Sequence, residues 1–124
     1  MVIALFGKAV SPDNLKYVQR VIDKLVLRNC KLTVYGPFYE LLRDQVIFPD
    51  GIETFSDEKG IHSGVDFFFS VGGDGTILDA VTFVRDSGIP VMGINIGRIG
   101  FLSGISKDEI LPSIDKVLDN DYRL

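Results

Sequence analysis

The sequence predicts a doubly wound α/β domain, in which one parallel sheet lies between two layers of helices. Short, unbroken apolar runs alternate along the chain with segments whose apolar residues recur at helical spacing. Unbroken apolar runs are typical of parallel strands buried on both faces, and strands that alternate with helices form right-handed crossovers. The chain has 124 residues and is 46% hydrophobic and 24% charged. This length and composition fit a single globular domain with one substantial core.

The first half of the chain predicts two strands and two helices. Residues 2–6 form a continuous apolar run that ends at a glycine, as expected of a buried strand. Ser11 precedes a proline and predicts the N-cap of an amphipathic helix over residues 12–28. Residues 32–35 predict a second strand, and residues 38–42 a short helix after it.

The second half begins with residues 43–64, which have no sustained period and predict a loop region with a short strand near residues 52–55. The remaining predictions, in chain order, are a strand over 67–71, a helix from about Thr76 or Ile77 to Gly88, a strand over 91–94, and a final helix opened by a capping box at 106–109.

Composition narrows the possible partners. The formal net charge is -4, and the lysines and arginines are scattered singly, so a nucleic-acid partner is not expected. An anionic ligand must then be held locally, by backbone N–H groups, a helix end or a metal. The single cysteine, Cys30, excludes an intramolecular disulfide. The sequence has no signal-like start and no membrane-length apolar segment, so we expect a cytoplasmic protein with no membrane partner.

The strongest functional signal is the glycine-aspartate loop, Gly72-Gly73-Asp74-Gly75-Thr76, which directly follows an apolar strand. Ligands of open α/β sheets collect at the carboxyl ends of such strands. Glycines there let a phosphate approach the main chain, and the N–H groups that open the following helix attract anions. The loop is neither a Walker A sequence nor a Gly-x-Gly-x-x-Gly fingerprint.

Asp74 needs a separate explanation, because a carboxylate repels a phosphate. It can accept the proton of a hydroxyl that attacks a phosphoryl group, or it can hold a divalent cation that bridges phosphates. A third interpretation is that Asp74 or Thr76 only caps the helix. The three glycines around Asp74 favour a functional role.

A second glycine segment, Asn95-Ile96-Gly97-Arg98-Ile99-Gly100-Phe101-Leu102, follows the next strand and is expected to open on the same sheet edge. Phe101 could stack on a base or nicotinamide ring, although a Phe-Leu pair is more often ordinary core. Arg98 could meet a phosphate but, taken singly, is more typical of a solvated charge. His62 has no potential catalytic or metal-binding partner at a characteristic spacing in the sequence, so no chemical role is predicted for it.

Together these two segments resemble the NAD kinase family, the first its phosphate and catalytic motif and the second its Asn-x-Gly-x-x-Gly-Phe-Leu segment. The resemblance covers nearly the whole chain and implies a Rossmann-like, phosphofructokinase-like fold. It implies phosphoryl transfer from ATP to the 2′-hydroxyl of the adenosine ribose of NAD, giving NADP, with a divalent metal such as Mg²⁺. It also implies that Asp74 is the general base, that Gly75 contacts the dinucleotide and that Phe101 lines its pocket. The other residues implied to bind nucleotide are Gly72, Gly73, Thr76, Asn95, Gly97, Gly100 and Leu102.

The sequence departs from the family pattern in two ways. Asp79 stands where many members carry a basic or other polar residue, which argues against a direct phosphate contact at that position. Family members also continue into a β-rich substrate-binding domain that these 124 residues do not contain. We therefore expect an N-terminal domain, truncated or expressed alone, that is nearly inactive without the second domain, and we expect the full-length enzyme to be a homo-oligomer.

Two other functions remain open from the residues alone. Lipid kinases of the diacylglycerol and sphingosine type share the glycine-aspartate loop, although they typically place an Asn-Glu pair soon after it. A non-catalytic nucleotide-binding or oligomerisation module is the second alternative.

Overall fold

The computed structural model describes residues 1–56, 61, 64–72, 74–84, 87–94 and 110–119, with Asp74 described by its backbone. The strands are β1 (Val2–Gly7), β2 (Lys31–Tyr35), β3 (Glu53–Phe55), β4 (Phe67–Val71) and β5 (Val91–Ile94). The helices are α1 (Leu15–Leu27), α2 (Gly36–Leu42), α3 (Asp74–Val84) and α4 (Ile110–Leu118), and a 3-10 turn (Pro12–Asn14) precedes α1.

The five strands form one parallel sheet in the order β3-β2-β1-β4-β5. This arrangement confirms the predicted doubly wound α/β fold, including the short strand expected near residues 52–55. The central strands β1 and β4 are almost wholly buried, which agrees with their unbroken apolar sequences.

Helices cover both faces of the sheet. On one face, α1, α2 and α4 pack against alternate residues of the strands, including Ile3, Leu5 and Phe69. On the opposite face, α3 packs over Phe6 and Phe68.

The α3 face is built largely from aromatic rings. Phe83 of α3 lies with its ring centroid 5.0 Å from that of Phe6 and 5.3 Å from that of Tyr35. Phe55 and Phe68 complete this cluster. Its packing fixes the flank of α3 that turns toward β1 and β2.

The two halves of the sheet are wound in opposite directions from neighbouring strands. After β1 the chain passes to α1 on one face and then to β2, whereas after β4 it passes to α3 on the other face and then to β5. The carboxyl ends of β1 and β4 therefore flank a topological switch point, where α/β sheets bind their ligands.

An ion-pair network joins α1 to α4. Lys24 Nζ lies 2.7 Å from Asp115 Oδ2, and Arg28 donates a 2.9 Å hydrogen bond to Asp115 Oδ1 and pairs also with Asp119. The hydrogen bond from Lys24, with that from Arg28, lowers the pKa of the Asp115 carboxyl.

Among the described residues, no helix has the length and apolarity needed to cross a membrane.

Two helix starts differ from the sequence prediction. The α3 helix begins at Asp74 rather than at Thr76 or Ile77, so the last three of the five residues of the glycine-aspartate loop are helical. Ser11 does not cap a helix through its side chain; its Oγ accepts a 2.9 Å hydrogen bond from the Asn14 side-chain amide instead. The capping box expected at 106–109 lies outside the described residues.

Candidate functional site at the carboxyl edge of the sheet

Three strands end side by side at the switch point. Gly7 of β1 is in register with Val71 of β4, and Val71 is in register with Ile94 of β5. Gly72 continues this alignment, because its N–H donates a 2.9 Å hydrogen bond to the Ile94 carbonyl. The carboxyl ends of β1, β4 and β5 therefore lie side by side at one edge of the sheet, where Gly72 opens the glycine-aspartate loop.

Gly72 occupies a position that requires glycine for two reasons. Its φ is +147°, a region that residues with a side chain rarely adopt. A Cβ at this position would lie 2.8 Å from Thr76 Oγ1 and 3.2 Å from Thr76 Cβ. The main chain thus turns tightly against the first turn of α3.

The first turn of α3 is formed by Asp74, Gly75 and Thr76. Gly75 is exposed, and a Cβ placed on it would meet no atom within 4 Å. The first N–H groups of a helix have no partner within the helix, and they carry the positive end of its dipole. Open main chain at such a helix start suits a bound phosphate.

An ion pair spans the switch point. Lys8 directly follows Gly7, and its Nζ pairs with Oδ2 of Asp79, one turn further along α3 than Gly75. The sequence had marked Asp79 as a departure from the family pattern but had not predicted its partner. The two residues are 71 positions apart, so only the folded sheet brings them together.

Ser70 is a second residue that the sequence did not single out. Its side chain is 2% exposed, and its Oγ has no hydrogen-bond partner among the described residues. Ser70 shares a sheet face with Phe68, so the hydroxyl lies on the α3 side, two residues before the loop. A buried hydroxyl without a partner is uncommon and destabilises the fold.

The structure brings Gly72, Gly75 and Thr76 together at the switch point and places the Asp74 backbone at the start of α3. The other predicted site residues lie outside the described residues: Gly73, Asn95, Gly97, Gly100, Phe101 and Leu102, together with Arg98 and His62.

The described residues contain no group of three or more His, Cys, Asp or Glu side chains that could hold a metal ion. Mg²⁺ in kinases is commonly bound by one or two carboxylates together with substrate phosphates. Asp79 is a carboxylate near the loop, but its charge is paired with Lys8.

Two open depressions lie elsewhere on the described surface. One, of about 430 Å³, lies at the opposite, amino edge of the sheet, before β4 and β5. The other, of about 500 Å³, lies beside α2 and the segment that leads into β3. Neither of these two depressions includes the glycine-aspartate loop.

The chain is similar to known proteins over nearly its whole length. The family model described as the ATP-NAD kinase N-terminal domain matches residues 3–122. An NAD kinase of Cytophaga hutchinsonii is 33% identical over 125 residues, which cover 100% of this chain and 42% of the relative. An NAD kinase of Flavobacterium psychrophilum is 33% identical over 124 residues, again covering 42% of its own length.

A solved structure shares the fold. The crystal structure of yeast NADH kinase complexed with NADH superposes with a TM-score of 0.78 over 98% of this chain and 38% of its own, at 22% sequence identity. The chain therefore spans about two fifths of the length of the relatives that it matches, as the coverage of 42% shows.

Proposed function

Because the chain belongs to the NAD kinase family, we propose that the protein carrying it transfers the terminal phosphoryl group of ATP to the 2′-hydroxyl of the adenosine ribose of NAD, making NADP. The observation that supports this most directly is the glycine-aspartate loop at the switch point, with Gly72 in a glycine-only conformation and an open first turn of α3. Family membership favours this reaction over lipid phosphorylation and over a non-catalytic role.

Asp74 is proposed to be the general base. As the 2′-oxygen of the ribose attacks the γ-phosphorus of ATP, its proton passes to the Asp74 carboxylate, and the bond between phosphorus and the oxygen of the ADP leaving group breaks. Asp74 then releases the proton to solvent. Phosphoryl transfer depends mainly on positioning and on neutralising charge, so the backbone N–H groups beside Asp74 are proposed to assist the base.

The remaining roles follow from position. Gly72 and Gly73 allow close approach to the phosphates, while Gly75 contacts the dinucleotide through its backbone, and Thr76 belongs to the same turn. The segment after β5 is proposed to complete the pocket through Asn95, Gly97, Gly100, Phe101 and Leu102. Its support is that Ile94, the last residue of β5, is held against Gly72. Mg²⁺ would arrive with the ATP phosphates and supply charge neutralisation.

The matched region is proposed to be the N-terminal α/β domain of a two-domain enzyme. The support is the length of the relatives, of which this chain covers 42%. The 124-residue chain is expected to make little NADP, whereas the full-length protein that carries it is expected to be active. A cytoplasmic location and a homo-oligomeric state are parts of the same proposal, to be checked by cell fractionation and by light scattering of the full-length protein.

The test uses the full-length protein with Asp74→Asn, and with Asp44→Asn as a matched control. Asp44 is an exposed carboxylate that follows α2 and lies outside the glycine-aspartate loop and α3. Asp74→Asn is expected to lower kcat by about 10²–10⁴-fold, the usual contribution of a general base, with a near-normal KM for NAD. NADP formation is followed with ATP and NAD, and diacylglycerol is offered as a competing acceptor.

Three outcomes are decisive. If the wild-type full-length protein makes no NADP, the proposed reaction is wrong, and phosphorylation of diacylglycerol would replace it with the lipid kinase alternative. If Asp74→Asn makes NADP at the rate of Asp44→Asn, the reaction stands and the proposed base is wrong.

A further inference from the structure

Lys8 holds a distinctive place among the charged residues that the structure describes. Among the described residues that directly follow a strand at the carboxyl edge of the sheet, Lys8 is the one with a positively charged side chain. Gly7 and Val71 are the last residues in register between β1 and β4, so Lys8 and Gly72 leave the sheet next to each other. The Lys8 backbone therefore borders the same crevice as the glycine-aspartate loop.

The Lys8 side chain turns toward α3 rather than toward α1. Its ammonium group pairs with Asp79, which lies four residues after Gly75 on the same flank of the helix. Four residues correspond to about 6 Å along a helix axis. The positive charge is therefore held beside the open first turn, where the proposed reaction places phosphates.

The ion pair is poorly explained as a stabilising contact. The side chains of Lys8 and Asp79 are 57% and 45% exposed. Exposed pairs add little to stability because water screens the attraction and two long side chains must be ordered. For the same reason, the lysine can exchange the carboxylate for another anion at little cost.

A polyphosphate is the anion that this position suits. The terminal phosphates of a nucleoside triphosphate carry several negative charges, whereas Asp79 carries one, and lysine binds phosphate well as a compact point charge. Protein kinases use a comparable device, in which a strand lysine that contacts ATP phosphates is held by an acidic residue of a helix. The pairing with Lys8 would then explain how an acidic residue at position 79 is tolerated near phosphates.

We propose that Lys8 binds the terminal phosphates of the phosphoryl donor, and that Asp79 is the positioning residue that holds Lys8 beside the glycine-aspartate loop. The inference rests on the proposed function, because that function puts the donor at this edge. It adds a phosphate-binding residue that directly follows β1, on the opposite side of the switch point from the loop.

The experiment compares Lys8→Met, Lys8→Arg, Asp79→Asn and the Lys8→Met/Asp79→Asn double variant in the full-length protein. Lys31→Met is the matched control, since Lys31 is 60% exposed and pairs with Glu53 at 3.2 Å on the opposite, amino edge of the sheet. Steady-state kinetics give KM for ATP and for NAD. Calorimetric titration with inorganic tripolyphosphate measures phosphate binding without turnover, and thermal denaturation checks folding.

Lys8→Met is expected to raise both the KM for ATP and the tripolyphosphate Kd by about tenfold or more, as for loss of one charge-assisted contact. The KM for NAD and the melting temperature should stay near wild type, and Lys8→Arg should retain most of the binding. Asp79→Asn should have a smaller effect that disappears in the Lys8→Met background, since coupled residues are not additive. Lys31→Met should behave as wild type.

The two proposals fail in different ways. If the wild type makes NADP but Lys8→Met matches Lys31→Met in ATP KM and tripolyphosphate Kd, the role of Lys8 is overturned while the NAD kinase activity stands. If Asp79→Asn and Lys8→Met are additive, Asp79 does not act through Lys8. If the wild type makes no NADP, the proposed function fails, and the tripolyphosphate titration still decides whether Lys8 binds phosphate.

Discussion

Replacing Gly72 with alanine tests the geometry of the glycine-aspartate loop directly. At φ +147° an alanine is strained, and non-glycine residues in such sparsely populated regions cost about 1–3 kcal/mol. The new Cβ would also lie 2.8 Å from Thr76 Oγ1, and overpacking of this kind typically costs a further ~1–3 kcal/mol. We therefore expect Gly72→Ala to lower the free energy of unfolding by about 2–6 kcal/mol.

Gly75→Ala is the matched control in the same loop. A Cβ at Gly75 meets no atom within 4 Å, and Gly75 is in helical conformation. Replacing glycine by alanine in a compatible conformation stabilises a protein by about 0.4–1 kcal/mol, chiefly by restricting the unfolded chain. The same methyl group would protrude from the open first turn, so Gly75→Ala should raise the KM for NAD in the full-length protein although it stabilises the fold.

The assay is urea denaturation of the 124-residue chain, followed by far-ultraviolet circular dichroism. Thr76→Ala in the Gly72→Ala background removes Oγ1 and Cγ2 and should restore the part of the loss that is due to these two atoms. The parts due to φ and to the remaining 3.2 Å approach to the Cβ of residue 76 should persist. A Gly72→Ala variant within ~0.5 kcal/mol of wild type, the range of an ordinary surface substitution, would refute the reasoning.

Two further predictions concern the frame around the site. Gly7→Ala would place a Cβ 2.6 Å from the Phe38 ring and 2.9 Å from the Val71 carbonyl oxygen; we expect a loss of about 1–3 kcal/mol in urea denaturation, and an unchanged midpoint would contradict this packing. The pKa of Asp115 is lowered in the folded protein, so its pairs stabilise the fold above its ordinary pKa of about 4, and this stabilisation is lost as the pH falls through the lower folded pKa. The melting temperature of Asp115→Asn should therefore lie below that of the wild type at neutral pH, and the difference between them should shrink under acid conditions. A difference in melting temperature that does not depend on pH, as expected of a packing defect, would contradict the electrostatic origin.

Strands β1, β4 and β5 could be predicted from the sequence because each is a short, mainly apolar run. The three-residue β3 is also expected near residues 52–55, although its sequence Glu-Thr-Phe is not an apolar run. The start of α3 was placed too late because Gly75 was treated as part of a loop. Glycine destabilises a helix less at its start than in its interior, so α3 can include Gly75.

Side-chain partners could not be predicted in the same way. Ser11 satisfied a sequence rule for helix capping, yet the Asn14 side chain, three residues away, competes for its hydroxyl. The local sequence does not show that the Ser70 hydroxyl is buried without a partner among the described residues. This depends on α3, which covers that face of the sheet only in the folded domain. Lys8 and Asp79 meet only after the strand order has been set.

The switch point explains why that last pair carries functional information. A lysine after β1 and an aspartate on α3 belong to the two oppositely wound halves of the sheet, which pair along β1 and β4. Both residues lie toward the carboxyl end of that pairing, so their contact borders the crevice in which this fold binds ligands. Lys31 and Glu53 form a pair of similar exposure at the amino edge, between strands of one half. The fold assigns these two pairs different surroundings, and from this difference we expect loss of Lys8, and not of Lys31, to weaken phosphate binding.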